Sequence, residues 1–154
     1  LAPIETMTTL VHLCTEYADA LARLHADAYD DPWNARAFDE ALRAPSGFGV
    51  GLREGRDILA FVLVQIASET AEILQIATHP RHQRRGFARA LLTALEADLI
   101  SRGVTRLTLD VASDNIAALG FYEAAGFARD GVRPRYYVAG RETAVDAILM
   151  SKVI

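Results

Sequence analysis

The sequence predicts an α/β protein of the α+β type: a mixed, mostly antiparallel central sheet of about six or seven strands, with helices on both faces. Three observations predict it. The apolar patterns follow the order β, α, α, β, β, β, α, β, α, β, β along the chain. Their period changes from strand-like to helical at Gly86, after three consecutive strands. The 154 residues, 51% hydrophobic and 23% charged, match one ordinary globular domain. Residues 1–154 are therefore expected to fold as a single domain.

Glu16–Ala28 and Ala35–Ala44 read as helices, joined by the turn-forming segment Asp30-Asp31-Pro32-Trp33-Asn34. Phe48–Arg53 and Ile58–Ala67 read as strands around a hairpin turn at Glu54-Gly55-Arg56-Asp57. Glu72–Thr78 is a third strand. Phe87, Leu91, Leu95 and Leu99 then recur every fourth residue with Leu92 beside them, so Gly86–Arg102 is an amphipathic helix that Gly103 ends. Arg106–Ala112 alternates and is a strand. Ser113, Asp114 or Asn115 caps a helix running to Ala125, stopped by Gly126. Strands at about Phe127–Tyr137 and Thr143–Val153 complete the order.

Composition excludes several functions. The longest wholly apolar run, Ile58 to Val64, is far below the ~20 residues of a membrane span, so no membrane association is expected. The first thirty residues hold Glu5, Glu16, Asp19, Asp27 and Asp30 against Arg23 alone, which is not a basic secretory leader. A single cysteine, Cys14, leaves no internal disulfide and suits a reducing, cytoplasmic setting; its apolar surroundings suggest helix-face core packing. His79-x-x-His82 lacks a third ligand, and no metal is expected. The net charge of −4 argues against a nucleic-acid partner.

Charge distribution is more informative than its sum. No acidic residue occurs from Ile73 to Leu95, while Arg81, Arg84, Arg85 and Arg89 crowd the middle of that stretch. Gln83-Arg84-Arg85-Gly86-Phe87-Ala88-Arg89 opens the long helix. A helix start presents unpaired N–H groups and the positive end of the dipole. Gly86 has no side chain to keep a phosphate oxygen from the main chain. This reads as a pyrophosphate cradle, against the simpler alternative of an arginine-rich turn. No Gly-Lys-Ser/Thr follows, so it is not a P-loop, and the Gly-x-Gly-x-x-Gly dinucleotide fingerprint is missing.

These residues resemble the Gcn5-related N-acetyltransferase superfamily. Gln83-x-x-Gly86-x-Ala88 fits its coenzyme motif, and Tyr122-Glu-Ala-Ala-Gly126-Phe127 fits its Tyr-x-x-x-Gly-Phe motif. A closer resemblance is to bacterial ribosomal-protein-alanine N-acetyltransferases. It is carried by Asp31-Pro32-Trp33-Asn34 with Phe38, by Gln75-Ile76-Ala77-Thr78-His79-Pro80, and by Leu107-Thr108-Leu109-Asp110-Val111 with Asn115. Arg135-Tyr136-Tyr137, Gly140-Arg141-Glu142 and Asp146-Ala147-Ile148-Leu149-Met150 continue it to the end of the chain.

The resemblance implies the acetyltransferase (GNAT) fold, acetyl-coenzyme A as co-substrate and transfer of acetyl to a protein N-terminus, that of a ribosomal protein beginning with alanine. It implies that backbone groups of Ile76, Ala77 and Thr78 bind the acetyl and pantetheine end. Arg84, Arg85, Gly86, Phe87, Ala88 and Arg89 would hold the pyrophosphate, and Asn115 the pantetheine arm. Tyr122 would be the general acid, and Asp110 stands where the family carries its glutamate. Trp33, Tyr136 and Tyr137 are candidates for the acceptor groove, with core or strand-edge roles as their alternatives. A backbone N–H near Ala77, best placed by a bulge there, is the expected partner for the thioester oxygen. Two other functions stay open: an enzyme of this superfamily acting on a small-molecule amine or lysine, and a non-catalytic acyl-coenzyme A-binding module.

Overall fold

The apolar run Ile58–Val64 is buried from end to end, and the fold is built around it. In the computed structural model, which describes residues 8–154, the run lies within strand β3 (Asp57–Ala67). Residues 1–7, the start of the expected domain, lie outside the described residues. The other strands are β1 (Thr9–His12), β2 (Gly47–Glu54), β4 (Thr70–Thr78), β5 (Arg106–Ala112), β6 (Ala128–Tyr137) and β7 (Val145–Val153). They form one open sheet in the order β1-β2-β3-β4-β5-β7-β6. Every pairing is antiparallel except that of β4 with β5.

Helices α1 (Ala18–Ala28) and α2 (Ala35–Arg43) cover one face, where Leu21, Leu24 and Phe38 meet Phe61, Leu63 and Ala77. Helices α3 (Phe87–Ser101) and α4 (Ile116–Ala124) cover the other, where Leu91, Leu95, Leu99 and Leu119 meet Val62, Val64, Leu107 and Leu109. Alternation sends neighbouring residues of β3 into opposite cores, so the strand has no solvent face to fill with polar residues. The mixed sheet with helices on both faces is the architecture that the sequence predicted.

Two local readings differ. The first helix begins as a single 3-10 turn, Thr15–Tyr17, and Cys14 lies ahead of it, exposed. Cys14 is therefore not a core residue, because the helix whose apolar face it was expected to share starts after it. β4 begins at Thr70 rather than Glu72, since Thr70–Glu72 pair with Arg106–Thr108 of β5, a contact with no local signature.

That pairing is short, and its end creates the site. Beyond Glu72 and Thr108 the two parallel strands part. At the same point β4 bulges: Val64 faces Ile73, Leu63 faces Gln75, and Leu74 is left over. A bulge bends its strand and reverses which residues face each side. Accordingly Ala71 and Ile73 belong to the core beneath α3, whereas Ala77 belongs to the core beneath α1. β5 stays paired to β7 along its other edge. A wedge-shaped gap is left in the middle of the sheet.

Candidate active site

A cavity of about 610 Å³ occupies this gap, between Ile73–Ile76 of β4 and Leu109–Ala112 of β5. The end of α1 and the loop to α2 close it on one face, and the first turns of α4 on the other. Tyr137 and the following loop form a side wall.

The hydrogen bonds of β4 show which main-chain groups face this space. The His79 N–H donates to Leu59 O at 2.8 Å, across to β3. The Tyr29 hydroxyl donates to Ile76 O at 2.7 Å, from the opposite direction. Alternate residues of an antiparallel strand bond the same neighbour. Gln75, Ala77 and His79 therefore point their main-chain groups at β3, while Ile76 and Thr78 point theirs into the gap. This refines the sequence expectation. The bulge lies at Leu74 rather than beside Ala77, and of the main-chain N–H groups near Ala77 the one turned toward the cavity is that of Ile76, because the Ala77 N–H belongs to the ladder opposite Phe61.

Asp110 and Tyr122 reach the cavity from opposite faces. Leu107, Leu109 and Val111 pack in the core beneath α3, so alternation turns Asp110 the other way. Its carboxylate lines the cavity, with the Arg133 Nη1 at 3.6 Å. Tyr122 is 6% exposed, its ring held edge-on by Phe121 and Phe127 at 5.3 and 5.5 Å. It lines the cavity, and no hydrogen bond acts on its hydroxyl among the described residues. Burial raises the phenol's pKa above its ordinary value.

Of the three candidate caps for α4, Asn115 is the one used: its Oδ1 accepts the Ala118 N–H at 3.1 Å. This leaves the amide Nδ2 as its free donor, two helical turns before Tyr122 on the same wall. Trp33 also lines the cavity, its indole against Phe38 at 5.3 Å. Tyr137 lines it as well. Tyr136 does not: it is 52% exposed and edge-on to Tyr137 at 5.1 Å, where the left-handed backbone of Arg135 (φ 54°) and a register shift between Arg133 and Tyr137 interrupt the regular pleat of β6.

Sequence reasoning missed His25, Tyr29, Gln75 and Arg133. His25 is 2% exposed, and its Nδ1 accepts the Trp33 N–H at 2.8 Å. Accepting requires the neutral ring, and burial indeed lowers the His25 pKa below 6.5, with Gln75 and Asp31 opposing. The only local signal was the spacing of His25 and Tyr29 by one helical turn. Since unfolded His25 protonates near 6.5 and the folded residue only lower, its contribution to stability is full above that pH and declines as pH falls below it. Thermal melts between pH 7.5 and 5 should fall more steeply for the native chain than for His25→Asn. Parallel curves would show that His25 is not held neutral.

The arginine-rich turn lies beyond the end of β4, outside the cavity wall. Arg84 and Gly86 both adopt left-handed backbone conformations, with φ of 64° and 79°. Such turns gather successive N–H groups into an anion-binding concavity. No side chain caps the first turn of α3, where Phe87 and Ala88 are half-buried, and a Cβ placed at Gly86 would meet nothing within 4 Å. None of Arg81, Arg84, Arg85 and Arg89 is paired with an acid among the described residues. Arg85 contacts His82 Nδ1 at 3.1 Å, and Arg89 donates to Ala124 O at 3.2 Å, tying α3 to α4. Unclaimed N–H groups, open space and uncompensated positive charge suit a pyrophosphate. Gly86→Glu should weaken acetyl-coenzyme A binding at least tenfold by isothermal titration, since it adds bulk, negative charge and a left-handed strain. Equal affinity would reject the site.

Residues 12–127 match the family model described as Acetyltransferase (GNAT) family. The chain belongs to that family. It is 33% identical to the ribosomal protein bS18-alanine N-acetyltransferase of Escherichia coli K12, over 94% of this chain and 97% of that one. It is 36% identical to the N-alpha-acetyltransferase RimI of Mycobacterium tuberculosis, over 88% and 85% of the two chains. The crystal structure of the Escherichia coli ribosomal-protein-S18-alanine N-acetyltransferase superimposes with a TM-score of 0.89 at 32% identity, covering 96% of this chain and 94% of that one. This acetyltransferase is therefore an acetyl-coenzyme A-dependent enzyme, which removes the non-catalytic binding module as a reading. Among the described residues no group of His, Cys, Asp and Glu is arranged to hold a metal. No described helix is long and apolar enough to cross a membrane.

Proposed function

We propose that the chain is one acetyltransferase domain over residues 1–154 that transfers acetyl to the α-amine of a protein N-terminus, the acceptor being a ribosomal protein beginning with alanine. The observation that carries the reading is the cavity through the sheet. It has the Ile76 N–H on its wall, Tyr122 on one face, and Asp110 with Trp33 and Tyr137 on the acceptor side. The names of the two relatives, a ribosomal protein bS18-alanine N-acetyltransferase and an N-alpha-acetyltransferase, support the acceptor class. A ribosomal acceptor and a lone cysteine also fit a cytoplasmic enzyme.

In this reading the turn at Arg84–Arg89 holds the pyrophosphate and the Asn115 amide the pantetheine arm. The Ile76 N–H donates to the thioester oxygen as negative charge develops there. The amine nitrogen forms the new bond to the carbonyl carbon, the carbon–sulfur bond breaks, and Tyr122 gives its proton to the departing sulfur. Asp110 takes the proton that the amine loses, through a water where its side chain falls short of the family's glutamate. An α-amine makes small demands on such a base: with a pKa of about 8, roughly a tenth is neutral at pH 7, against fewer than one in ~1,000 for lysine.

The test is a peptide panel read by mass spectrometry: an alanine-first peptide, the same peptide with its N-terminus blocked and an internal lysine free, and a small primary amine. Acetylation should appear at the free α-amine alone. Equal or preferred modification of the lysine or the small amine would move the enzyme to the second class.

A further inference from the structure

The loop of residues 138–144, between β6 and β7, forms part of the cavity wall through Ala139, Gly140 and Arg141. Its base is secured: the Arg135 N–H donates to Asp146 Oδ1 at 3.0 Å, and the Ser113 N–H to Asp146 O at 2.8 Å. Its tip is secured at one place. Arg141 Nε donates to Asp114 Oδ2 at 2.8 Å and Nη2 to Asp114 Oδ1 at 2.9 Å. Among the described residues these are the only hydrogen bonds from the loop to the rest of the protein. The remaining contacts of Arg141 lie within its own segment, to Ala139 O at 3.2 Å, to Val138 O through its own N–H, and against the Tyr137 ring at 5.8 Å.

We infer that the Arg141–Asp114 pair is a positioning clamp, which holds the loop and Tyr137 against the start of α4 and so fixes the acceptor side of the cavity. The two parallel N–H···O bonds match a planar guanidinium to a planar carboxylate, a geometry that fixes orientation as well as distance. Asp114 sits immediately before the Asn115 cap, so its backbone is anchored by α4 itself. Arg141 brings the loop to that fixed point. The pair is partly exposed, at 27% for Arg141 and 47% for Asp114, and its side-chain hydrogen bonds reach only each other and Ala139 O, not Tyr122, Asn115 Nδ2 or the arginine turn. The Asn115 cap is made by its own side chain to Ala118 N–H, so loss of the pair acts on the loop and the acceptor side rather than on coenzyme binding or proton transfer. The inference rests on the N-terminal acceptor reading for its kinetic arm alone.

Asp114→Asn, Arg141→Gln and the exchanged pair Asp114→Arg with Arg141→Asp test it in the full chain. With an alanine-first peptide, each single variant should raise the peptide KM about fivefold, the scale of one well-formed bidentate pair. The acetyl-coenzyme A KM and kcat should stay within twofold, and the exchanged pair should recover part of the loss. Hydrogen exchange by mass spectrometry supplies an arm that needs no acceptor: amides of 138–144 should exchange at least fivefold faster in both single variants. Unchanged loop exchange overturns the clamp, and so does faster exchange with an unchanged peptide KM. A wild-type chain that fails to acetylate the peptide overturns the acceptor reading instead, and the exchange arm still decides whether the pair holds the loop.

Discussion

Tyr122→Phe is expected to lower turnover by about 10²–10⁴-fold, the usual weight of a positioned general acid. The ring should keep its place, since its edge-on contacts with Phe121 and Phe127 involve no hydroxyl. Acetyl-coenzyme A affinity should be nearly unchanged for the same reason. Burial raises the Tyr122 pKa, so the phenol carries its proton throughout any practical assay range. The loss should therefore be flat with pH. A raised pKa does not disqualify the acid, because a thiolate leaving into the same desolvated space is also driven to take up a proton. Because no hydrogen bond acts on the hydroxyl among the described residues, the variant leaves no orphaned group and should melt near the native temperature. Steady-state kinetics at saturating peptide and thioester provide the measurement. Full turnover in the variant would remove Tyr122 from the chemistry.

Asp110→Asn should lose much of the activity near neutral pH and progressively less as pH approaches 9.5. Asparagine keeps the size of aspartate but takes no proton, so packing does not account for a loss of this form. Above the amine's own pKa of about 8 the acceptor arrives neutral and needs no base. Convergence of the two pH–rate curves would support the base and an α-amine acceptor together. A constant ratio would leave Asp110 as a partner for Arg133, whose guanidinium stands 3.6 Å away, or as a positioning group. Asp110→Glu separates these further: a longer carboxylate should maintain or raise turnover if reach is what the water supplies.

The turn proposed to hold the coenzyme was the most legible part of the candidate site because it is local. Gln83 to Arg89 is contiguous, and a helix start with a glycine and no acid carries its own physical argument. Asn115 and Tyr122 were readable together for a similar reason, since seven residues on one helix share a face. The proposed acceptor side was less legible. Tyr29 meets Ile76 across 47 positions, and Arg141 meets Asp114 across 27. Neither pair follows from periodicity or turn chemistry. Tyr136 and Tyr137 looked equivalent in sequence, and only the local irregularity of β6 at Arg135 separates the exposed one from the one lining the cavity.

The sequence by itself determined the order of elements and a helix start at Gly86 rich in arginine and free of acid, both consequences of interactions within a few residues. Tertiary structure decided where β4 leaves β5, that Leu74 is the residue left over, and hence that Ile76 rather than Ala77 presents its N–H to the cavity. The physical reason lies in the pairing partners. Which residue bulges depends on the register between two strands, and register is set by the packing of both faces against α1 and α3. Period-two alternation read along β4 alone would place Ile73 and Ala77 on one face, whereas the folded sheet buries them in opposite cores.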